Sequence, residues 1–297
     1  MRYRRSVSIL TCIIAVLAII ASGYGLLSGG GETAGGSSGM FTSIRGEEVE
    51  LYGTGIYRHD SVSAAAQARA QDGVTLLAAV PLLLLSLRMS RKGKIKGQLL
   101  LSGVLGYFTY TYASYSFLAM YNNLFLIYVM LLSASLFAFL LTLVSLEREQ
   151  VKRYFKPGLP AASIGGFLLF IAFMLMMLWL GRIAGPLMHG TVPQGLEHYS
   201  TLVIQALDLA VVVPVTAVTG IMLILRRAAG FLLASVVLVK AATLLTSISA
   251  MIAGMLYAGV KVSLIELIVF PVFNLGVVIC LFVVLSHVQE PGKPISV

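Results

Sequence analysis

Residues 123–146 read NLFLIYVMLLSASLFAFLLTLVSL and contain no charged side chain. At 1.5 Å per residue, a helix of this length measures about 36 Å, enough to cross ~30 Å of hydrocarbon. Arg148, Lys152, Arg153 and Lys156 follow directly. An apolar run that ends in basic residues is typical of a transmembrane helix that leaves the membrane on its cytoplasmic side.

The rest of the chain has the same character. Of its 297 residues, 58% are apolar and 11% are charged, whereas soluble domains carry roughly 25% charged residues. So few charges could not cover the surface of a water-soluble protein, and the composition excludes a disordered chain. The sequence therefore predicts a single domain, 1–297, that folds as an all-α bundle of about eight transmembrane helices. The predicted spans are 7–27, 73–88, 98–118, 123–146, 161–184, 200–225, 231–257 and 263–286. The second is short, and a polar helix over 61–72 is expected to extend it outward.

The basic residues orient these spans. Fifteen of the 21 Lys and Arg residues fall on one side of an eight-span arrangement, which predicts that both termini are cytoplasmic. The same placement accounts for the net charge of +9 by topology and by anionic lipid. Membrane lipids are thus expected partners, nucleic acid is excluded, and the sequence does not indicate an oligomeric state. Span 1 has a second interpretation, because MRYRR, its apolar run and Ala21-Ser22-Gly23 also resemble a cleavable signal peptide.

The one sizeable loop, 28–72, is predicted to form an extracytoplasmic cap. It begins with GGGETAGGSSG, which has the composition of a flexible linker. EEVELYGTGIY at 47–57 can form a short strand or hairpin, and Asp60 or Ser61 is expected to cap the helix that follows. The loop also contains half of the acidic residues, among them Asp72. No internal repeat is expected, because the mid-span prolines do not occupy matching positions in two halves.

Polar residues within the spans are the functional candidates, because ionisable groups are costly in hydrocarbon. Asp208, Lys240 and Glu266 are ionisable, and Gln205 and Asn274 are amides. Thr201, Gln205, Asp208, Thr216 and Thr219 share one face of span 6. This face either lines a polar cavity or forms hydrogen bonds that hold the bundle together.

Counting from the turns places several polar residues at the depth of Asp208. Asp208 and Lys240 differ by roughly 12 Å of helical rise, which favours a water bridge or separate partners over a direct ion pair. Ser247, Asn274, Tyr112 and Tyr115 reach the depth of Asp208. They are the predicted ligand or pathway residues together with Asp208, Gln205 and Lys240. The five tyrosines between 107 and 121 indicate either an aromatic cavity wall or ordinary packing.

Sequence motifs for catalysis and for metals are not apparent. His189, Glu197 and His198 lie in one outer loop, but their spacing is not that of a metal site. Cys12 and Cys280 both lie in apolar runs and form no ligand pair. The chain has no P-loop, HExxH, GxSxG or CxxC motif. No catalytic residue, metal or cofactor is therefore predicted.

Four stretches together resemble an uncharacterised family of bacterial polytopic membrane proteins. They are LYGTGIYRHDS at 51–61, GYFTYTYASYSFLAMYNNLFLIY at 106–128, SASLFAF at 133–139 and QALDLAVVVP at 205–214. The resemblance implies a location in the bacterial plasma membrane and carries no activity.

Three classes of function remain. The first is a small-solute transporter with a polar pathway near Asp208. The second is a sensory protein that binds a small-molecule ligand and is gated by the outer loop. A membrane enzyme acting on a lipid-like substrate ranks last, because no nucleophile or acid–base pair is well formed.

Overall fold

The computed structural model describes residues 3–29, 39–146 and 152–290. The linker at 30–38 and the basic residues Arg2, Arg148 and Lys293 lie outside these ranges. The described chain is mostly helical, with eight long helices numbered here in chain order. They are α1 Arg4–Leu27, α2 Val62–Arg91, α3 Ile95–Phe117, α4 Phe125–Val144, α5 Ala161–His189, α6 Val203–Ile224, α7 Ala228–Tyr257 and α8 Leu264–Ser286.

Seven of these helices are long and apolar enough to cross a membrane, which is the pattern of a multi-pass membrane protein. The exception is α3, whose 23 residues are rich in Tyr, Ser, Thr and Gly. Fifteen of those 23 residues are buried, because α2, α4 and α7 pack around α3. A helix screened by its neighbours need not be apolar on every face, since its polar groups can bond within the protein. The eight-span count stays a prediction.

Local sequence signals explain how α2 begins and why it is long. Ser61 accepts a hydrogen bond from Ala64 N and caps the helix, as expected. The polar segment after Ser61 is continuous with the apolar one, so that α2 spans 30 residues. Asp72, which the sequence analysis counted with the loop, therefore lies within a helix of the bundle. Its side chain is only 4% exposed.

Two helices contain a widened turn just before a proline. In α2 the turn is Thr75–Ala79, where Val80 N bonds the Thr75 carbonyl, and Pro81 follows. In α6 the turn is Asp208–Val212, where Val213 N bonds the Asp208 carbonyl, and Pro214 follows. Proline lacks an N–H, so a carbonyl one turn earlier loses its usual partner. Such five-residue turns are rare and occur frequently at functional sites.

The two widened turns belong to a direct internal repeat with an offset of 133 residues. The offset relates Thr75–Ala79 to Asp208–Val212 and Pro81 to Pro214. The connection after each helix has one residue of positive φ, Gly93 in the first copy and Arg226 in the second. The next helices then begin at Ile95 and Ala228. The expectation that the prolines do not match is wrong for this pair.

Side-chain packing follows the same offset. A Cβ added to Gly97 would clash with the backbone around Met89, and a Cβ added to Gly230 would clash with the backbone around Met222. Ser102 and Ser235, both fully buried, each donate to the carbonyl four residues earlier. Only eleven of the 38 residues in 80–117 are identical to their counterparts in 213–250, which explains why the repeat is hard to find by sequence.

The two copies meet where α3 crosses α7. A Cβ on Gly103 would lie 2.3 Å from Val239 Cβ and 2.9 Å from the Val236 carbonyl oxygen. Val236 is the counterpart of Gly103 itself. A position that touches its own counterpart is what a two-fold axis through the crossing produces. The bundle thus contains two related helix pairs, α2–α3 and α6–α7, that pack against each other through α3 and α7.

A small cap lies at the end of the bundle where α2 begins. Strands β1 (Met40–Thr42) and β2 (Glu48–Glu50) form an antiparallel hairpin with Phe41 opposite Val49. Arg45 donates to the Ser200 carbonyl at 3.1 Å, and His198 Nε2 lies 3.0 Å from the His59 carbonyl oxygen. These contacts join the hairpin segment to the connection between α5 and α6. The expected strand within 47–57 is confirmed.

Candidate functional site

Asp208 is held in place by two aromatic donors. Its side chain is 6% exposed and begins the widened turn of α6. Tyr110 OH on α3 donates to Oδ1 at 2.8 Å, and Trp179 Nε1 on α5 donates to Oδ2 at 2.9 Å. Each carboxylate oxygen thus has a neutral donor, and one of the two, Tyr110, belongs to the other copy of the repeat. The carboxylate of Asp208 therefore lies where the two copies meet.

Lys240 on α7 completes this group from the other side of Tyr110. Lys240 Nζ is 4.1 Å from the centroid of the Tyr110 ring, a cation–π geometry. Tyr110 therefore contacts both charged residues, because its hydroxyl donates to Asp208 and its ring faces Lys240. The Asp208 group is defined here as Asp208, Tyr110, Trp179 and Lys240.

A second, uncharged group lies where α2, α3 and α7 meet. Tyr107 and Ser247 are both fully buried, and their hydroxyl oxygens are 3.0 Å apart. Gln71 Nε2 donates to Thr111 Oγ1 at 2.9 Å and to the Tyr107 hydroxyl at 3.4 Å. Thr75 Oγ1 lies 3.5 Å from the same hydroxyl. Ser247, one of the predicted pathway residues, therefore belongs to this group.

Tyr112 and Tyr115 lie on another face of α3, with Asp72. Tyr115 OH donates to Asp72 Oδ1 at 3.2 Å, and Tyr57 OH donates to Asp72 Oδ2 at 2.6 Å. Tyr112 stacks on Tyr128, and their centroids are 6.3 Å apart. This face of α3 is turned away from the Tyr110 face that bonds Asp208, because successive residues are 100° apart around a helix.

The remaining candidates lie outside these groups. Gln205 is buried one turn before Asp208. Asn274 on α8 donates to Thr246 Oγ1 at 3.2 Å. Glu266 is exposed and completes a capping box with Ser263 at the start of α8. Of the outer-loop histidines, His198 belongs to the cap. Within the described ranges, no three His, Cys, Asp or Glu side chains are grouped as metal ligands.

Five of the seven predicted site residues thus fall into three groups around α3, rather than around one common space, and Gln205 and Asn274 belong to none of the three. Sequence reasoning missed Asp72, Gln71 and Trp179. Asp72 and Gln71 lie in an alanine-rich polar stretch, which is typical of a helix on a protein surface. Trp179 lies in an apolar run, and tryptophan in such a run is commonly explained by the membrane–water interface. One sequence signal indicated Asp72. It precedes Pro81 by the same number of residues as Gln205 precedes Pro214.

Comparisons with known proteins add no identity, since no family model, curated protein or solved structure matches this chain. The resemblance to an uncharacterised bacterial family stays a prediction.

Proposed function

We propose that this protein is a transporter of a small solute in the bacterial plasma membrane, and that the Asp208 group lies on the solute's path. In the proposed topology all eight helices cross the membrane, both termini are cytoplasmic, and the cap covers the outer mouth. Short basic connections between the helices support this orientation.

The observation that carries the proposal is the position of Asp208. It begins a widened turn in a helix, it is buried, and its donor Tyr110 belongs to the other copy of the repeat. Transporters built from repeats place substrate sites at the repeat interface, at breaks in their helices, and move one half against the other.

The first experiment asks whether a solute binds at Asp208. The purified protein is screened for small solutes that raise its melting temperature, since a ligand that binds only the folded state stabilises it. We expect a stabilising solute whose effect is lost in Asp208→Asn. Asp60→Asn is the matched control, because it makes the same change in the cap and should keep the solute effect. A solute effect retained in Asp208→Asn would remove Asp208 from the site.

The second experiment separates transport from sensing. The solute found in the screen is supplied to sealed vesicles that contain the purified protein, and uptake is followed with time. We expect saturable uptake that fails in Asp208→Asn vesicles. Binding without any uptake would contradict the transporter and favour a ligand-binding sensor.

A further inference from the structure

Asp72 is a second buried carboxylate, and its environment differs from that of Asp208. It lies on α2, three residues before the widened turn Thr75–Ala79. The hydrogen bonds at 2.6 and 3.2 Å come from the hydroxyls of Tyr57 and Tyr115, which are neutral donors. A carboxylate buried among neutral groups is costly when it is ionised without a counter-charge.

The basic side chain that acts on Asp72 is Arg69, one turn earlier on α2. Its guanidinium is directed elsewhere, because it donates to the Gly25 carbonyl at 3.4 Å and lies 5.9 Å from the Tyr52 ring centroid. Asp208, by contrast, accepts a hydrogen bond from Tyr110, and Lys240 packs against the ring of that tyrosine. The two carboxylates therefore differ in charge balance: Asp208 has a buried amine beside it, and Asp72 has none in the described structure.

Two further hydroxyl oxygens lie close to the Asp72 carboxylate and its donors. Ser22 Oγ on α1 lies beside the carboxylate, and Tyr128 OH on α4 lies beside the Tyr57 hydroxyl. Ser22 is 1% exposed and Tyr128 is 2% exposed, yet neither oxygen forms a hydrogen bond of standard geometry in the described structure. A buried hydroxyl without a partner is unusual. Both keep oxygen lone pairs that could face a cation.

The backbone of α1 lies directly against the carboxylate at Gly25. A Cβ on Gly25 would lie 2.0 Å from Asp72 Oδ2 and 2.9 Å from Tyr57 OH, so only glycine fits at this point. The groups that face Asp72 are thus Ser22 from α1, Arg69 from α2, Tyr112 and Tyr115 from α3, Tyr128 from α4, and Tyr57 from the cap. Apart from Arg69, all are hydroxyls.

We infer that Asp72 and the hydroxyl oxygens around it bind a monovalent cation, a sodium ion or a proton. A single carboxylate matches a single positive charge, and oxygen atoms are the ligands of hard cations. Asp72 has no acidic counterpart in the second repeat, where Gln205 occupies the same position. If the proposed function holds, this cation drives uptake of the solute at Asp208, and that step rests on the proposed function. The binding of the cation to Asp72 does not rest on it.

The test uses the purified full chain without any solute. Its melting temperature is measured in sodium chloride and in choline chloride of equal ionic strength, and then across a range of pH without sodium. If the cation is sodium, sodium raises the melting temperature of the parent protein and has no effect on Asp72→Asn. If it is a proton, the parent responds to pH alone, and Asp72→Asn loses a large part of that response. Asp60→Asn makes the same change in the cap, so it is the control and should keep the parent's sodium response.

Two results would overturn the inference: a parent protein insensitive to both cations, or an Asp72→Asn variant that responds as the parent does. If Asp72→Asn does not fold, Tyr115→Phe is used, because it keeps the ring and removes one hydroxyl from the carboxylate. We then expect a severalfold change in the sodium concentration that gives half of the effect, or a shifted pH midpoint. Unchanged values in Tyr115→Phe would also overturn the inference. Loss of solute binding in Asp208→Asn is measured separately, so the two proposals can fail independently.

Discussion

Lys240 occupies in the second repeat the position that Tyr107 occupies in the first, 133 residues earlier. Tyr107 lies 3.5 Å from Thr75, the first residue of the widened turn in α2. Lys240 lies against the ring of Tyr110, whose hydroxyl donates to Asp208, the first residue of the widened turn in α6. The same pair of positions is therefore neutral in one copy and charged in the other. This asymmetry assigns different roles to two structurally related sites. It also predicts that Asp208 and Lys240 are energetically coupled.

Asp208 and Lys240 should be energetically coupled. Lys240→Met removes the positive charge and leaves Asp208 without compensation, so we expect this variant to be less stable than the parent. Asp208→Asn should recover part of the loss in the double variant, with a coupling energy of about 1–2 kcal/mol. The measurement is the stability of the parent, both single variants and the double variant in one detergent. Strictly additive effects would show that the two charges do not interact. Tyr107→Phe with Asp208→Asn is the control pair and should be additive.

The membrane helices could be predicted from the sequence because they depend on composition alone. The span predicted at 263–286 is observed as Leu264–Ser286, and Ser61 caps α2 as expected. A helix that crosses a membrane requires only an apolar stretch of sufficient length, and a capped helix requires only a hydroxyl side chain at the N-cap position. Both signals lie within one short segment of the chain.

The grouping of polar residues could not be predicted in the same way, because it depends on how the helices rotate about their axes. Depth counting placed Tyr115 and Asp208 at one level, but it does not say that they lie on different faces of α3. Asp72 escaped notice since hydropathy cannot distinguish a polar surface helix from one that bonds to buried tyrosines. The repeat escaped notice since its common features, a widened turn and a glycine contact, are geometric.

Labelling from outside the cell should report the proposed orientation. The basic residues place 28–72 outside and 147–160 inside. A cysteine introduced as Ser38→Cys should react with an impermeant reagent in intact cells, whereas Gln150→Cys should react only after lysis. Both positions lie outside the described residues, and Cys12 and Cys280 are first replaced by serine. Labelling of Gln150→Cys in intact cells would reverse the orientation.

The cap should become less stable as pH rises. Asp60 is 3% exposed and accepts hydrogen bonds from Met120 N at 3.1 Å and Tyr199 OH at 3.0 Å. Burial raises the pKa of Asp60 above its ordinary value, although these bonds and the nearby His198 and His59 oppose the shift. A raised pKa in the folded state stabilises the protein at low pH, and this contribution is lost as pH rises through that pKa.

Asp60→Asn isolates this effect. The variant keeps the oxygen that both donors need and cannot ionise. We expect the melting temperature of the parent, relative to that of Asp60→Asn, to fall between acidic and neutral pH. Titrating groups that do not interact with Asp60 contribute equally to both proteins and cancel in the difference. A difference that is constant across this range would mean that Asp60 does not titrate within the cap.

The crossing of α3 and α7 should tolerate a methyl group at one glycine and not at its neighbour. At Gly103 a Cβ would approach Val239 Cβ to 2.3 Å and the Val236 carbonyl to 2.9 Å, and a backbone atom cannot move aside as a side-chain end can. Gly103→Ala should therefore force the helices apart and cost about 1–3 kcal/mol of stability.

At Gly106, one turn later on the same helix, a Cβ would make ordinary contact with Phe139 at 3.5 Å. Gly106→Ala should be neutral or stabilising, because alanine favours a helix over glycine by up to about 1 kcal/mol. The two variants share chemistry, helix and depth, so a comparison of their melting temperatures reports on the crossing alone. Equal effects of the two substitutions would mean that the two copies do not meet at Gly103, and the two-fold relationship between α3 and α7 would lose its structural basis.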